Sequence, residues 1–277
     1  MPRSRSKSDR TTNVGAVILL VVLSACAIAP FAWMVLASFK PLQDVESSAL
    51  LPKVWKPENY GAVFRQIPFA RYFMNSAFVA LWVTFLTCLT SSMAAYSFAR
   101  LRWPGRDTVF KLYLATMMVP GVVTMIPNYA IVVKLHLLDS FTGLIVPASF
   151  SAFGTFLLRQ FMITIPPALD EAAKIDGAGH WKVFLDVVMP LAKPGLATLA
   201  IFTFLGTYGS FYWPLILLKS PHMRTVPIGI MFFDGNYGRQ TNLLMAAAVM
   251  AIVPPVVLYL FGQKFLVKGI QIGAVKG

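Results

Sequence analysis

Apolar runs long enough to cross a bilayer dominate this chain and leave little room for another architecture. A window of about 19 residues finds six of them, at roughly 14–37, 73–98, 109–133, 142–161, 195–218 and 243–266. About 20 apolar helical residues span the hydrocarbon core, so the sequence predicts an all-α membrane protein with six transmembrane helices. Charge agrees: only 13% of the 277 residues are charged, against about 25% in a soluble domain, and the mean hydropathy is +0.68. A soluble fold of this composition would need a core larger than its polar residues can cover.

The first run raises a question of processing. Basic RSRSKSDR followed by VGAVILLVVLSAC resembles a secretory signal, and LSAC before Cys26 resembles a lipoprotein cleavage box. The apolar run continues to Phe39, however, which is long enough to span. It is therefore taken as an uncleaved first span. Cys26 and Cys88 both lie in apolar runs, form no CxxC pair, and are expected to be small buried residues.

The net charge of +13 fits a nucleic-acid binder or a membrane protein with basic cytoplasmic loops. The distribution favours the second. With the N-terminus inside, the cytoplasmic segments carry fifteen Lys and Arg and the outer segments nine. Both termini are thus expected in the cytoplasm, with ARLRWPGR as the strongest anchor and no nucleic acid as partner. Outer loops fall at about 40–72 and 219–240, and the longest cytoplasmic connection at about 165–194. No internal repeat or water-soluble domain is evident, so 1–277 reads as one transmembrane domain. Pro120, Pro127, Pro147, Pro214, Pro254 and Pro255 interrupt spans three to six. Broken helices can line a pathway or serve packing alone, and composition does not choose.

Several chemistries are missing from the sequence. There is no GxxxxGK[ST] phosphate loop, no HExxH and no GxSxG. His136, His180 and His222 are scattered without metal-ligand spacing. No span carries an ionisable residue at mid-depth, which argues against an ion relay. The chain reads as a conduit whose energy comes from elsewhere, not as an enzyme, and no cofactor or metal is expected on it.

The stretch PPALDEAAKIDGAGHWKVFLDVVMPLAKP (166–194) holds four of the eleven acids, Asp170, Glu171, Asp176 and Asp186. Prolines suit a first helical turn, and the early acids complement the helix dipole. Asp176-Gly177 reads as a stop with a left-handed glycine cap. A second helix is expected from His180 to Met189, ending at Pro190, with an apolar stripe of Trp181, Phe184, Leu185 and Val188. Such a unit can lie on the membrane surface or dock into a partner's cleft, with Ala172, Ala173 and Ala178 entering it and exposed acids meeting a basic rim. Periodicity alone leaves both open.

EAAKIDGAGHWKVFLDVVMPLAKP resembles the EAA loop of ABC importer permeases: E-A-A-x-x-D-G-A, an aromatic six residues later, then P-L-x-x-P. The resemblance extends over nearly the whole chain to the carbohydrate-uptake branch typified by the smaller maltose-transporter permease. SFKP (38–41), LPKVWKPENY, NSAFVA, AAYSFARLRWPGR, MMVPGVVTMIPNY and KGIQIGAVKG are similar to segments of that branch. It implies a type I ABC importer permease fold in a bacterial plasma membrane. Asp170, Glu171, Ala172, Ala173, Asp176, Gly177, Ala178, Phe184 and Pro190 would form the coupling helix region that contacts a cytoplasmic ATPase. Gly269, Gly273 and Lys276 would form a tail near the ATPase dimer. Implied partners are a second permease, two ATPases carrying ATP and Mg, and an extracytoplasmic solute-binding protein.

The resemblance departs at TYGSFYWPLI, where Tyr208 and Gly209 replace a usual Trp-Asn pair. Tyr208, Ser210, Tyr212 and Trp213, with Asn75 and Asn128, are the candidate solute path. Their aromatic, hydroxyl and amide groups suit a sugar, although aromatics in spans are mostly packing or interface belt. A saccharide, a polyol and a glycerol phosphate all fit, and a secondary transporter working alone is the alternative from another class.

Overall fold

The computed structural model describes residues 7–45, 47, 50–235 and 239–274, and among these no strand is present. The first helices are α1 (Lys7–Ser38), α2 (Leu42–Val45), α3 (Glu58–Gln66), α4 (Phe69–Arg100), α5 (Arg106–Ala115) and α6 (Met125–Lys134). Then follow α7 (Phe141–Ala148), α8 (Ala152–Thr164), α9 (Pro167–Ile175) and α10 (His180–Lys182). A π-helical stretch (Val183–Val188) leads into α11 (Met189–Leu191). The chain ends with α12 (Lys193–Tyr208), α13 (Tyr212–Leu217), α14 (Val226–Ile230) and α15 (Thr241–Ala274). By internal contacts the chain forms two compact units: residues to Ile67 with Ile230–Ile252, and Pro68–Gly229 with those from Val253.

In the first unit, SFKP and WKPENY are brought together by one amide. Asn59 Nδ2 donates to the carbonyls of Ser38 (2.8 Å) and Lys40 (2.9 Å), both buried. Lys56 N donates to Phe39 O at 2.7 Å. The Phe39 ring lies 5.5 Å from Trp55 and 5.2 Å from Tyr60. Asn59 thus accounts for two carbonyls left open where α1 ends. The apolar part of α1, Val14–Ser38, has a hydropathy of 2.6 and is left uncovered along its most apolar window.

The second unit is organised on α4, which packs along α8 and α12. Its core joins Ala95 and Tyr96 of α4 to Leu158 and Met162 of α8, Val183, Phe184 and Val188 of the π-helical stretch, and Leu199 of α12. Small residues let the backbones approach, as in membrane helices, where packing replaces the hydrophobic effect as the driving term. Gly154 of α8 shows how tight this is: a Cβ there would lie 2.6 Å from Ser91 Oγ of α4 and 3.1 Å from a Leu199 methyl of α12.

Of the six expected spans, three are single helices among the described residues, two are bent pairs, and the third has no continuous counterpart. Val14–Ser38, Phe69–Arg100 and Thr241–Lys264 are unbroken helices long and apolar enough to cross a membrane. Two more arise only as bent pairs, α7 with α8 (41°) and the helix His180–Leu191 with α12 (76°). The third expected span, 109–133, is not one helix. It breaks after a 3-10 turn at Thr116–Met118, where Val119 is extended (φ −80°, ψ 117°). That is the conformation imposed on a residue before proline, and Pro120-Gly121 then gives the helix neither a donor nor a good former.

The fourth span bends because Ser151 restarts the helix, its Oγ accepting from Gly154 N at 2.9 Å as an N-cap. The carbonyls freed at the bend are met from α4. Thr87 Oγ1 donates to Ala148 O (3.2 Å) and Thr90 Oγ1 to Ser149 O (2.6 Å), which makes a broken helix tolerable in a bilayer. The fifth span stops at Gly209 before α13. The sixth runs past its expected end through Gly269 and Gly273 to Ala274, so these two tail glycines are helical. Lys276 lies outside the described residues.

Candidate functional site

The segment 166–191 folds as a helix, a glycine turn and a second helix. Proline occupies the first turn of α9, where its missing N–H costs nothing. At the other end Gly177 has φ +83°, Gly177 N donates to Lys174 O (3.0 Å) and Ala178 N to Ala173 O (2.9 Å). These are the paired bonds of a Schellman cap with glycine in the left-handed position. The expected helix and stop therefore stand as read.

The second helix differs from expectation. It passes Pro190 and ends at Leu191, and it is π-helical from Val183 to Val188. Met189 N donates back to Phe184 O, five residues away. A proline inside an α-helix removes a bond and strikes the carbonyl four residues earlier. The wider π-turn just before Pro190 relieves that conflict. It also shifts the phase of the apolar stripe. Val183, Phe184 and Val188 are buried, whereas Trp181 and Leu185 are 64% and 57% exposed.

The nine residues expected to face a partner divide into two groups. Glu171, Ala172, Asp176, Gly177 and Pro190 are exposed. Phe184 is buried, its ring 5.1 Å from Tyr96, and Ala173 and Ala178 pack against the chain's own core. Asp170, expected as an exposed acid, is buried instead. Its Oδ2 lies 3.6 Å from Arg100 Nε, with side chains 12% and 7% exposed, while Arg100 Nη2 donates to Ile165 O at 2.7 Å. Neither Asp170 Oδ1 nor Arg100 Nε has a hydrogen-bond partner. Breaking a buried pair by removing one charge typically costs about 3–5 kcal/mol. Tyr96 Oη donates to His180 O at 3.1 Å, tying the second helix to α4 as well.

A cavity of about 260 Å³ lies between α4, α6, α7, α12 and α13. Asn128, Ser210 and Trp213, three of the solute-path candidates, line it together with Ser76, Gly143, Pro147, Gly206, Thr207 and Thr225. The lining holds hydroxyl, amide and indole groups and no Lys, Arg, Asp or Glu.

Three candidate path residues lie elsewhere. Asn75 Nδ2 is spent on the carbonyls of His222 (3.0 Å) and Arg224 (2.9 Å). Tyr208 is buried, its ring stacked 5.7 Å from Phe204 and edge-on to Phe73 at 6.4 Å, and it does not line the cavity. Tyr212 is 72% exposed and does not line the cavity. Ser76 and Thr225 escaped sequence reading because only folding brings them together. Beside the cavity Ser76 Oγ accepts from Val226 N at 2.8 Å.

The turn before α7 is stapled to the stretch after α13 by Asp139, in left-handed conformation at φ +54°. Its Oδ1 accepts from Lys219 N and Ser220 N, each at 2.9 Å. The Ser220 hydroxyl donates to Oδ2. The Ser220 hydroxyl first, then the amides, hold this carboxyl below the usual carboxylate range. A depressed carboxylate stabilises the fold above its unfolded pKa, about 3.9, and that stability is lost as pH falls through the folded value. The melting temperature of the detergent-purified chain is therefore expected to drop as pH goes from about 5 towards 3. In Asp139→Ala that acid-dependent drop is expected to be smaller.

Comparison with known proteins agrees with this architecture. Residues 87–272 match the family described as binding-protein-dependent transport system inner membrane component. The arabinooligosaccharides transport system permease protein of Bacillus subtilis (strain 168) is 35% identical over 96% of this chain and 96% of its own. The sn-glycerol-3-phosphate transport system permease protein of Yersinia pestis bv. Antiqua (strain Antiqua) is 36% identical over 79% of this chain and 80% of its own. Among solved structures, a chain of a bacterial ABC transporter involved in import of the acidic polysaccharide alginate aligns with a TM-score of 0.84. That alignment is at 23% identity and covers 95% of this chain and 99% of that one. Its fold is thus that of an ABC importer permease. The chain belongs to the binding-protein-dependent transport system inner membrane components: it is a multi-pass membrane permease component, not an ATPase.

Proposed function

We propose that this chain forms half of the translocation pathway of an ATP-driven importer for a sugar or sugar-like solute. In this reading 1–277 is one transmembrane domain with six spans and both termini cytoplasmic, in a bacterial plasma membrane. It pairs with a second, different permease, with two ATPase subunits that hold ATP and Mg, and with an extracytoplasmic binding protein. The chain itself carries no cofactor. The observation that carries the reading is the glycine-capped helix–turn–helix at 166–191, which leaves Glu171, Ala172 and Asp176 facing outward. That shape supports docking into an ATPase cleft, with Glu171 opposite basic residues. The tail from Gly269 to Gly277 is assigned to the same side.

The uncharged cavity lining supports a neutral saccharide or polyol over a glycerol phosphate, since a buried phosphate calls for cationic or multiple N–H donors. Calorimetry of the binding protein against both kinds of solute separates them. Glu171→Lys tests the coupling role: uptake into vesicles is expected to be lost while the protein still reaches the membrane. Normal ATP-dependent uptake in that variant would sink the assignment. Transport by the purified chain alone on an ion gradient would favour a secondary transporter.

A further inference from the structure

The segment 165–191 is joined to the cavity by two routes, and they differ in stiffness. The covalent route enters α12 through the π-turn at Val183–Val188 and a bend of 76°. Both are places where a helix bends rather than running straight. The second route is through α4. Arg100, its last residue, holds Ile165 O and faces Asp170, and Tyr96 one turn earlier holds His180 O. From there α4 runs 32 residues with neither proline nor glycine, a rod of roughly 47 Å at 1.5 Å per residue. At its far half Ser76 and Val79 line the cavity. Asn75 and Ser76 there hold the backbone of residues 222, 224 and 226.

We propose that α4 is the arm that moves the cavity, and that Arg100 and Asp170 are the positioning residues that clamp it to the coupling segment. A push on α9 reaches Asp170 in its first turn, passes to Arg100, and displaces α4 as one piece. The cavity wall at Ser76 and the 222–226 loop move with it. The pair is suited to two arrangements. At 3.6 Å it is wider than a hydrogen bond, and Arg100 Nε and Asp170 Oδ1 both keep an unused bond that a second state can close. This rests on the reading of 166–191 as the ATPase contact.

The test uses the full complex in liposomes, with Cys26 and Cys88 replaced by serine and Ser210→Cys as a reporter in the cavity. The probe is a membrane-impermeant maleimide, and the readout is the change in labelling rate on adding ATP with vanadate. In Arg100→Gln and in Asp170→Asn that change is expected to shrink roughly tenfold or more, with ATPase subunits still bound and hydrolysing ATP. Exchange of the two charges, Arg100→Asp with Asp170→Arg, is expected to restore part of it. Tyr96→Phe, which removes one hydroxyl and keeps the ring, gives a smaller loss and guards against misfolding.

An unchanged ATP response in both single variants overturns the proposal. So does loss of the ATPases from the complex, because the pair would then only hold the segment's shape, and so does failure of the exchange to recover anything. Glu171→Lys separates the two levels of inference. If it abolishes the ATP response while Arg100→Gln does not, the α4 arm alone fails. If Glu171→Lys responds normally, the docking assignment fails.

Discussion

Gly177→Pro is expected to abolish solute uptake while leaving the chain in the membrane. At φ +83° the position is closed to proline, whose ring fixes φ near −65°. Proline also removes the N–H that donates to Lys174 O at 3.0 Å. The cap cannot form, at a cost of roughly 3 kcal/mol or more, and the exposed face of α9 loses its angle to the helix from His180. Vesicle uptake alongside membrane abundance measures this, and an abundant, fully active variant would refute it. Gly177→Asn is the informative partner, since asparagine tolerates the left-handed region. It should keep most of the uptake.

Gly143→Ala is expected to give a large stability loss in the second unit. The new Cβ would meet the Leu137 carbonyl oxygen, with Leu137 C at 3.3 Å. That carbonyl belongs to a turn in which His136 and Asp139 both stand at φ +54°, so the turn has little freedom to retreat. Gly143 N also donates to Ser140 Oγ at 3.1 Å to cap α7. Overpacking against backbone usually costs about 1–3 kcal/mol. The melting temperature in detergent should fall by several degrees, at roughly 2–4 °C per kcal/mol for a chain of this size. Gly121→Ala, where nothing lies within 4 Å, serves as the neutral control.

What the sequence made legible follows from which forces are local. The apolar runs marked the long helices because length and hydropathy suffice for α1, α4 and α15. The cap at Gly177 was readable because proline before and glycine after a short helix are decided within one turn. The inward turn of Asp170 was not, since a nine-residue helix with acids at 170 and 171 does not say which one faces its own core. That choice is made by Arg100, seventy residues earlier in the chain.

The breaks had visible causes in Pro120-Gly121 and Ser151, yet their effect on continuity depends on whether a neighbour supplies the freed groups. Thr87 and Thr90 do so at the bend between α7 and α8. The cavity was half legible. Asn128, Ser210 and Trp213 stand out by type, while Ser76 and Thr225 reach it through pairings about 150 residues apart.

The π-turn at Val183–Val188 can be regarded as an α-helix holding one surplus residue. Each residue in an α-helix advances the azimuth by about 100°. Without the surplus, everything after it would be turned by that angle about the helix axis, and Leu199 would leave the core it shares with Leu158. The extra residue is thus a phase adjuster between two gears. It lets the face presented by His180–Lys182 and the face that α12 packs on α4 be set independently, so that either can diverge while the other stays in mesh.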